Sequence, residues 1–114
     1  MIRTAILALP LAFLAGAAAA HTKTDATTPA DGATVAEVEM LRIAFDAPMR
    51  VIAAALTRDG AEVAIERETG MEPVEAFHAV PAETLAPGTY RLDWRGMAAD
   101  GHPMQGGFGF TVAE

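Results

Sequence analysis

The sequence predicts an all-β protein, an antiparallel β-sandwich of about seven short strands that follows an export signal. Three observations indicate this fold. Apolar and polar residues alternate in several short runs, turns containing Gly and Pro separate these runs, and no convincing amphipathic helix follows the first 20 residues. Each strand is therefore expected to bury one face and to expose the other.

The first 20 residues have the organisation of a signal peptide. Arg3 precedes an apolar run that fades into alanines at positions 17–20. A membrane anchor is the alternative, but a spanning helix needs about 20 strongly apolar residues and this run is shorter. We therefore predict export, with a signal peptide at residues 1–20 that is removed.

The position of the cleavage decides which residue becomes the amino terminus. Ala18-x-Ala20 satisfies the small-x-small rule, and cleavage after Ala20 makes His21 the terminal residue. Cleavage after Ala18 would instead leave Ala19-Ala20-His21, which binds copper(II) or nickel(II) through its own backbone nitrogens. We predict cleavage after Ala20, so that residues 21–114 form one small domain.

The composition argues against several classes of protein. The chain carries 15 acidic residues against 8 Lys and Arg, a formal net charge of −7, and loss of Arg3 with the signal makes the mature chain more acidic still. This charge argues against nucleic acid and anionic lipid as partners. Cys and Ser are both missing from the sequence, so the usual nucleophiles of hydrolases are lacking and we predict no enzyme.

Alternation in the first half of the domain predicts three strands. Glu39 to Asp46 places its apolar residues on one face, and Pro48 is expected to stop this strand. Val51 to Thr57 and Ala61 to Glu66 are predicted to pair as a hairpin, because the intervening Asp59-Gly60 supplies the positive φ of a tight turn. The alanines of Val51 to Thr57 would also suit a helix.

The second half predicts a returning strand and the clearest alternation in the chain. Val74 to Val80 is expected to rejoin the sheet. Tyr90 to Arg95 and Phe108 to Val112 alternate apolar with polar or small residues and predict strands with one buried face. The segment between them, Gly96 to Gly107, is expected to be a connection. Turns or loops are predicted at Thr28 to Gly32 and at Glu66 to Pro73.

A candidate metal site combines the new amino terminus with this late connection. The amine and the ring of His21 are two nitrogen donors, which suit the tetragonal coordination that copper(II) prefers. Asp100 and His102 are one residue apart, so in an extended segment both side chains project to the same side, and Pro103 restricts His102 to an extended backbone. An Asp-Gly-His sequence by itself is more often a turn than a set of ligands. Its combination with a terminal histidine favours metal binding.

The remaining candidate ligands are weaker. His78 lies on a predicted strand, where an exposed or core-edge histidine is favoured over a fourth ligand. The methionines are scattered, and copper(I) sites use clustered thioethers. Met97 and Met104 bracket the candidate site, but we assign neither as a ligand.

The sequence resembles the CopC family of periplasmic copper-binding proteins, which are small Greek-key, Ig-like β-sandwiches linked to copper resistance or homeostasis. The likeness extends over nearly the whole domain. It is carried by five motifs in one order: His21 directly after the signal, Thr28 to Gly32, Leu85 to Arg95, Asp100-Gly101-His102-Pro103 and Gly106 to Val112.

This resemblance implies a ligand set and a role. The amine and ring of His21, the carboxylate of Asp100 and the ring of His102 would bind one copper(II) per chain. The protein would be a periplasmic monomer that carries or buffers copper and cooperates with an inner-membrane copper transporter of the CopD type. Some family members add a methionine-rich loop for copper(I), whereas the corresponding region here offers Met71 without a cluster.

Two other functions stay open on the sequence. A copper oxidoreductase with a histidine brace also uses a terminal histidine, but Tyr90 and Trp94 are predicted to face the core and leave no aromatic platform for a polymer. A metal-free, Ig-like interaction module would result if His21 and His102 never meet.

Overall fold

The computed structural model describes residues 24–114, and the signal peptide, the cleavage after Ala20 and the His21 terminus lie outside these residues. All regular structure in the described part is β-strand, which confirms the predicted all-β fold. Among the same residues, no helix is long and apolar enough to cross a membrane. The strands are β1 Thr24–Thr28, β2 Ala33–Val35, β3 Leu41–Arg58, β4 Ala61–Val63, β5 Ile65–Arg67, β6 Val74–Pro81, β7 Gly88–Ala98 and β8 Pro103–Val112.

The long strand β3 belongs to both layers of the fold. Its first part pairs with β1 and β6, and its second part, from Met49 to Arg58, pairs with β7. The order β2-β8-β7-β3-β6-β5 is therefore one hydrogen-bonded sheet that curls into two layers, with β4 also paired to β3. Neighbouring strands are antiparallel except β2 and β8, which are parallel.

A single hydrophobic core lies between the two layers. Alternating residues of β3, β6, β7 and β8 point inward, and burial of each large apolar side chain stabilises the fold by about 1.5–3 kcal/mol. Trp94 packs edge-on against Phe45, and Tyr90 stacks on Phe110. The largest fully buried side chains are Phe77, Phe108, Leu41, Ile43, Met49, Leu56, Leu92 and Val51.

Pro48 does not end the first strand, so that prediction was wrong. β3 continues through Pro48, but Asp46, Ala47 and Pro48 are all exposed and the alternation is interrupted there. The register against β6 shifts between Ala44 and Met49. A residue without a backbone N–H fits at this bend, because the ladder to β6 is interrupted on that stretch.

The predicted hairpin around Asp59-Gly60 is confirmed, with φ of 51° and 87° at its two turn residues. The strand alternative for the alanine run is also confirmed, since it lies within β3. The second arm is not one strand, however. Ala61–Val63 pairs with β3, whereas Ile65–Arg67 pairs with β6 in the other layer, because the chain changes partner at Ala64.

The connection predicted at Gly96 to Gly107 is largely strand, so that prediction was also wrong. β7 extends to Ala98 and β8 begins at Pro103, and Gly96 pairs with Met104. Four glycines interrupt the alternation of this segment in the sequence, although the backbone stays paired up to Met97 and Pro103. The true connection is the short tip Ala99–His102.

Candidate metal centre

The β7–β8 hairpin holds Asp100 and His102 at its tip. The Ala98 N–H donates a hydrogen bond to the His102 carbonyl at 2.9 Å, and the Gly101 N–H donates to the Ala98 carbonyl at 2.9 Å. Gly101 has φ of 91°, a conformation that glycine adopts without steric cost. The tip is therefore a tight turn closed by backbone hydrogen bonds.

The two candidate ligands contact each other within this turn. The His102 N–H donates to Asp100 Oδ1 at 3.0 Å, and His102 Nδ1 lies 2.7 Å from Asp100 Oδ2. The first of these bonds is the hydrogen bond of an Asx-turn. The side chains meet as predicted, but by a different route, because the backbone turns at Gly101 and is not extended.

This arrangement leaves donor atoms facing solvent. The side chains of His102 and Asp100 are 75% and 64% exposed. In the tautomer that carries its proton on Nδ1 and donates it to Asp100 Oδ2, neutral His102 has a lone pair on Nε2. Carboxylate oxygens accept more than one contact each, so Asp100 retains capacity for a cation.

The same contacts set the charge of Asp100. Its pKa is lowered from the ordinary value of 3.8, first because the carboxylate accepts the backbone N–H of His102 and second because it contacts the His102 ring. Hydrogen bonding to a carboxylate favours its ionised form. Asp100 therefore stays negative well into acid, which suits a cation ligand.

The described residues supply part of the predicted ligand set. Between residues 24 and 114, no group of three or more His, Asp or Glu side chains is arranged to hold a metal ion. Asp100 and His102 are brought together, whereas His21 lies outside the described residues.

His78, Met97 and Met104 differ in their position relative to the Asp100–His102 pair. His78 lies half-buried on β6, opposite Arg42 in the register, on a strand as predicted. Met97 is exposed and pairs with Pro103 next to the β7–β8 turn. Met104 packs against the core.

The large aromatic rings do not form a binding platform. Tyr90 is 2% exposed and Trp94 is 6% exposed, and both belong to the core. The Tyr90 hydroxyl donates to the Ala86 carbonyl. Their inward orientation agrees with the alternation of β7 in the sequence.

Gly96 on β7 and Arg67 on β5 had no predicted role. A Cβ on Gly96 would overlap the carbonyl oxygen of Arg50 on β3, so this glycine permits close approach of the two strands. Its position inside an alternating run was an available signal. Arg67 bonds to β3 nearby, and nothing in the sequence distinguished it from a surface arginine.

Sequence comparison finds relatives along most of the chain. The CopC domain family model matches residues 24–113. Copper resistance protein C of Escherichia coli is 32% identical over 110 residues, covering 87% of this chain and 86% of the relative. The protein of the same name from Pseudomonas syringae pv. tomato is 31% identical, covering 83% of this chain and 82% of its own length.

Structure comparison agrees with these relatives. The crystal structure of PcoC, a methionine-rich copper resistance protein from Escherichia coli, superposes with a TM-score of 0.70 at 31% identity, covering 81% of this chain and 98% of PcoC. CopC from Methylosinus trichosporium OB3b gives a TM-score of 0.68 at 20% identity, covering 82% of this chain and 94% of that protein, and this likeness supports the fold alone. By the family model and by relatives above 30% identity, the chain belongs to the CopC family.

Proposed function

We propose that the mature chain is a periplasmic protein that binds one copper(II) ion and carries or buffers it in copper resistance. Its ligands are the amine and ring of His21, the carboxylate of Asp100 and the ring of His102. The observation that carries the proposal is the contact between Asp100 and His102, which holds an anionic oxygen and an imidazole together in one exposed turn.

The chemistry of these donors suits copper(II). A set of nitrogen and oxygen donors without sulfur matches the tetragonal preference of this ion. The carboxylate offsets part of the charge of the dication, and its contact with His102 restricts the orientation of the ring. Protons compete for the amine and imidazole nitrogens, so affinity falls in acid.

The course of β1 supports a contribution from His21. Thr24, the first residue of β1, pairs with Phe45. Ala98, the last residue of β7 before the turn, pairs with Met49. Both pairings lie at the bend of β3, so β1 begins at the end of the sandwich that carries the hairpin. An extended chain of three residues spans about 10 Å. This reach would allow the His21 donors to cross a gap of that length between the start of β1 and the β7–β8 turn.

The comparisons favour a binding role over catalysis. The relatives are named copper resistance proteins, and this supports the predicted binding role. The core positions of Tyr90 and Trp94 also weigh against a histidine-brace oxidoreductase acting on a polymer. Residues 21–114 would act as a monomer after cleavage of the signal, and an inner-membrane transporter of the CopD type would exchange copper with it.

Copper(II) titration of protein that begins at His21, followed by electron paramagnetic resonance, tests the proposal. We expect saturation near one equivalent and a single spectrum with nitrogen hyperfine structure. The matched control begins at Ala20, which moves the free amine one residue away from the His21 ring and should change the spectrum and weaken binding. Saturation at a different stoichiometry, or identical spectra for the two proteins, would contradict the proposed ligand set.

A further inference from the structure

We infer that Arg67 is a positioning residue for the metal-binding hairpin, acting through the bulge of β3. The inference concerns a residue that is neither a ligand nor a neighbour of one. Its role in metal binding rests on the proposed function, but its effect on the hairpin does not.

The starting point is a gap along one edge of β3. On this edge β6 pairs with β3 as far as Met49, and β4 begins to pair only at Leu56. Within the gap the register against β7 also slips between Val51 and Ala53, which leaves Ile52 as a bulge. Carbonyl groups along such a gap require other donors, because unpaired backbone groups are costly away from water.

The guanidinium of Arg67 fills this gap. Arg67 Nη2 donates to the Val51 carbonyl at 2.7 Å, and Nη1 donates to the Ile52 carbonyl at 3.3 Å. The same group donates to the carbonyls of Thr69 at 3.2 Å and Gly70 at 3.0 Å. Its carbon Cζ lies 5.0 Å from the centre of the Phe77 ring. Four carbonyl acceptors around one guanidinium that lies over an aromatic ring match the fork of arginine and not the three donors of a lysine.

The bulge lies opposite the last residues of β7, next to the β7–β8 turn. Val51 pairs with Gly96, and Ala98 pairs with Met49. β3 and β7 approach so closely here that a Cβ on Gly96 would overlap the carbonyl oxygen of Arg50. Two residues further along β7, the Ala98 N–H closes the turn by donating to the His102 carbonyl. A bulge redirects a strand and raises its twist, so the group that fixes the bulge also fixes the direction of the hairpin.

Arg50 provides a control for Arg67, because both residues stabilise the loop after β5 but only Arg67 contacts the bulge of β3. Its guanidinium donates to the Met71 carbonyl at 2.6 Å, and so it fixes the loop without contacting the carbonyls of Val51 and Ile52. Arg50→Ala should loosen the loop only. Arg42 lies on the other half of β3 opposite His78, and Arg42→Ala is the control for loss of one positive charge.

Amide hydrogen exchange on metal-free protein tests the positioning directly. In Arg67→Lys and Arg67→Ala, we expect the Ala98 amide to exchange about 10-fold faster relative to the core amide of Leu92, the effect of losing one or two hydrogen bonds. Arg50→Ala and Arg42→Ala should leave this ratio unchanged. Arg67→Lys keeps the charge, so it remains informative if Arg67→Ala does not fold.

Copper binding provides the second measurement. We expect both Arg67 variants to bind copper(II) about 10-fold more weakly, at the lower end of the effect of outer contacts on metal sites, with a broadened resonance spectrum. An unchanged exchange ratio in Arg67→Lys, or an equal change in Arg42→Ala, would overturn the inference. Failure of the parent protein to bind copper would refute the proposed function and leave the exchange result standing.

Discussion

Three turns of this protein contain an Asp-Gly dipeptide, and the two that close β-hairpins use it differently. In the β3–β4 hairpin, Asp59 and Gly60 both have positive φ, and the turn joins two strands. In the β7–β8 turn Gly101 has positive φ and Asp100 does not, and Asp100 directs both carboxylate oxygens at His102. The dipeptide thus supplies a turn in both places. A candidate ligand pair arises only where histidine follows two residues after the aspartate.

The largest effect on copper(II) affinity is expected from removing His102, which has no counterpart in the β3–β4 turn. His102→Ala removes the imidazole from the β7–β8 turn, and we expect copper(II) affinity to fall by more than about 100-fold, beyond the range for outer contacts alone. Isothermal titration calorimetry measures this change. His78→Ala, which alters a histidine on β6, should bind copper as the parent does, and equal affinities in the two variants would contradict the ligand assignment.

Replacing the turn glycines separates stability from binding. Gly60 and Gly101 have φ of 87° and 91°, and neither would bring a new Cβ into contact with other atoms. Gly60→Ala and Gly101→Ala should therefore each cost about 1–2 kcal/mol of unfolding free energy through backbone strain. Urea unfolding should give similar losses for both, whereas only Gly101→Ala should weaken copper binding. A similar loss of affinity in Gly60→Ala would show that general destabilisation explains the effect.

The Asp100 turn should also be recognisable by its titration. The Asp100 pKa is lowered by the backbone N–H and the ring of His102, so its hydrogen bonds stabilise the turn at every pH above the ordinary aspartate value. This contribution is lost as the pH falls through the lowered folded-state pKa. Carbon NMR of the Asp100 carboxyl group should give a midpoint below 3.8, the ordinary value. His102→Ala removes the ring contact but keeps the backbone N–H of residue 102, so the midpoint should rise only part of the way toward 3.8, and no rise would mean that the ring contact does not form in solution.

The smallest effect is expected from placing a histidine in the first turn. Ala61→His creates the order Asp-Gly-His in the β3–β4 hairpin, on an exposed residue where substitutions change stability by about 0.5 kcal/mol or less. Asp59 has positive φ, unlike Asp100, so we expect no second copper site. Copper titration should still saturate near one equivalent. Binding of a second equivalent would mean that the order of residues alone makes the site.

The outcome at the bend of β3 shows where sequence patterns were insufficient. Alternation predicted inward-facing Leu41, Ile43 and Phe45 correctly, because period-two burial is a local property of a strand. The prediction that Pro48 ends the strand was wrong, since the effect of a proline depends on whether a partner strand needs a hydrogen bond at that point. The register shift against β6 removes that need.

From the sequence alone, the alternating strands of the core, the Asp59-Gly60 turn and the placement of Asp100 beside His102 could be predicted, although the turn at Gly101 was expected to be extended chain. These depend on residue spacing and on backbone preferences that act over a few residues. Three features became evident only in the folded chain. β3 belongs to both layers, β7 and β8 remain paired up to the tip, and Arg67 donates hydrogen bonds to the carbonyls beside the bulge. Such features depend on groups far apart in the chain that need each other as hydrogen-bond partners, and no local pattern records which partner is found.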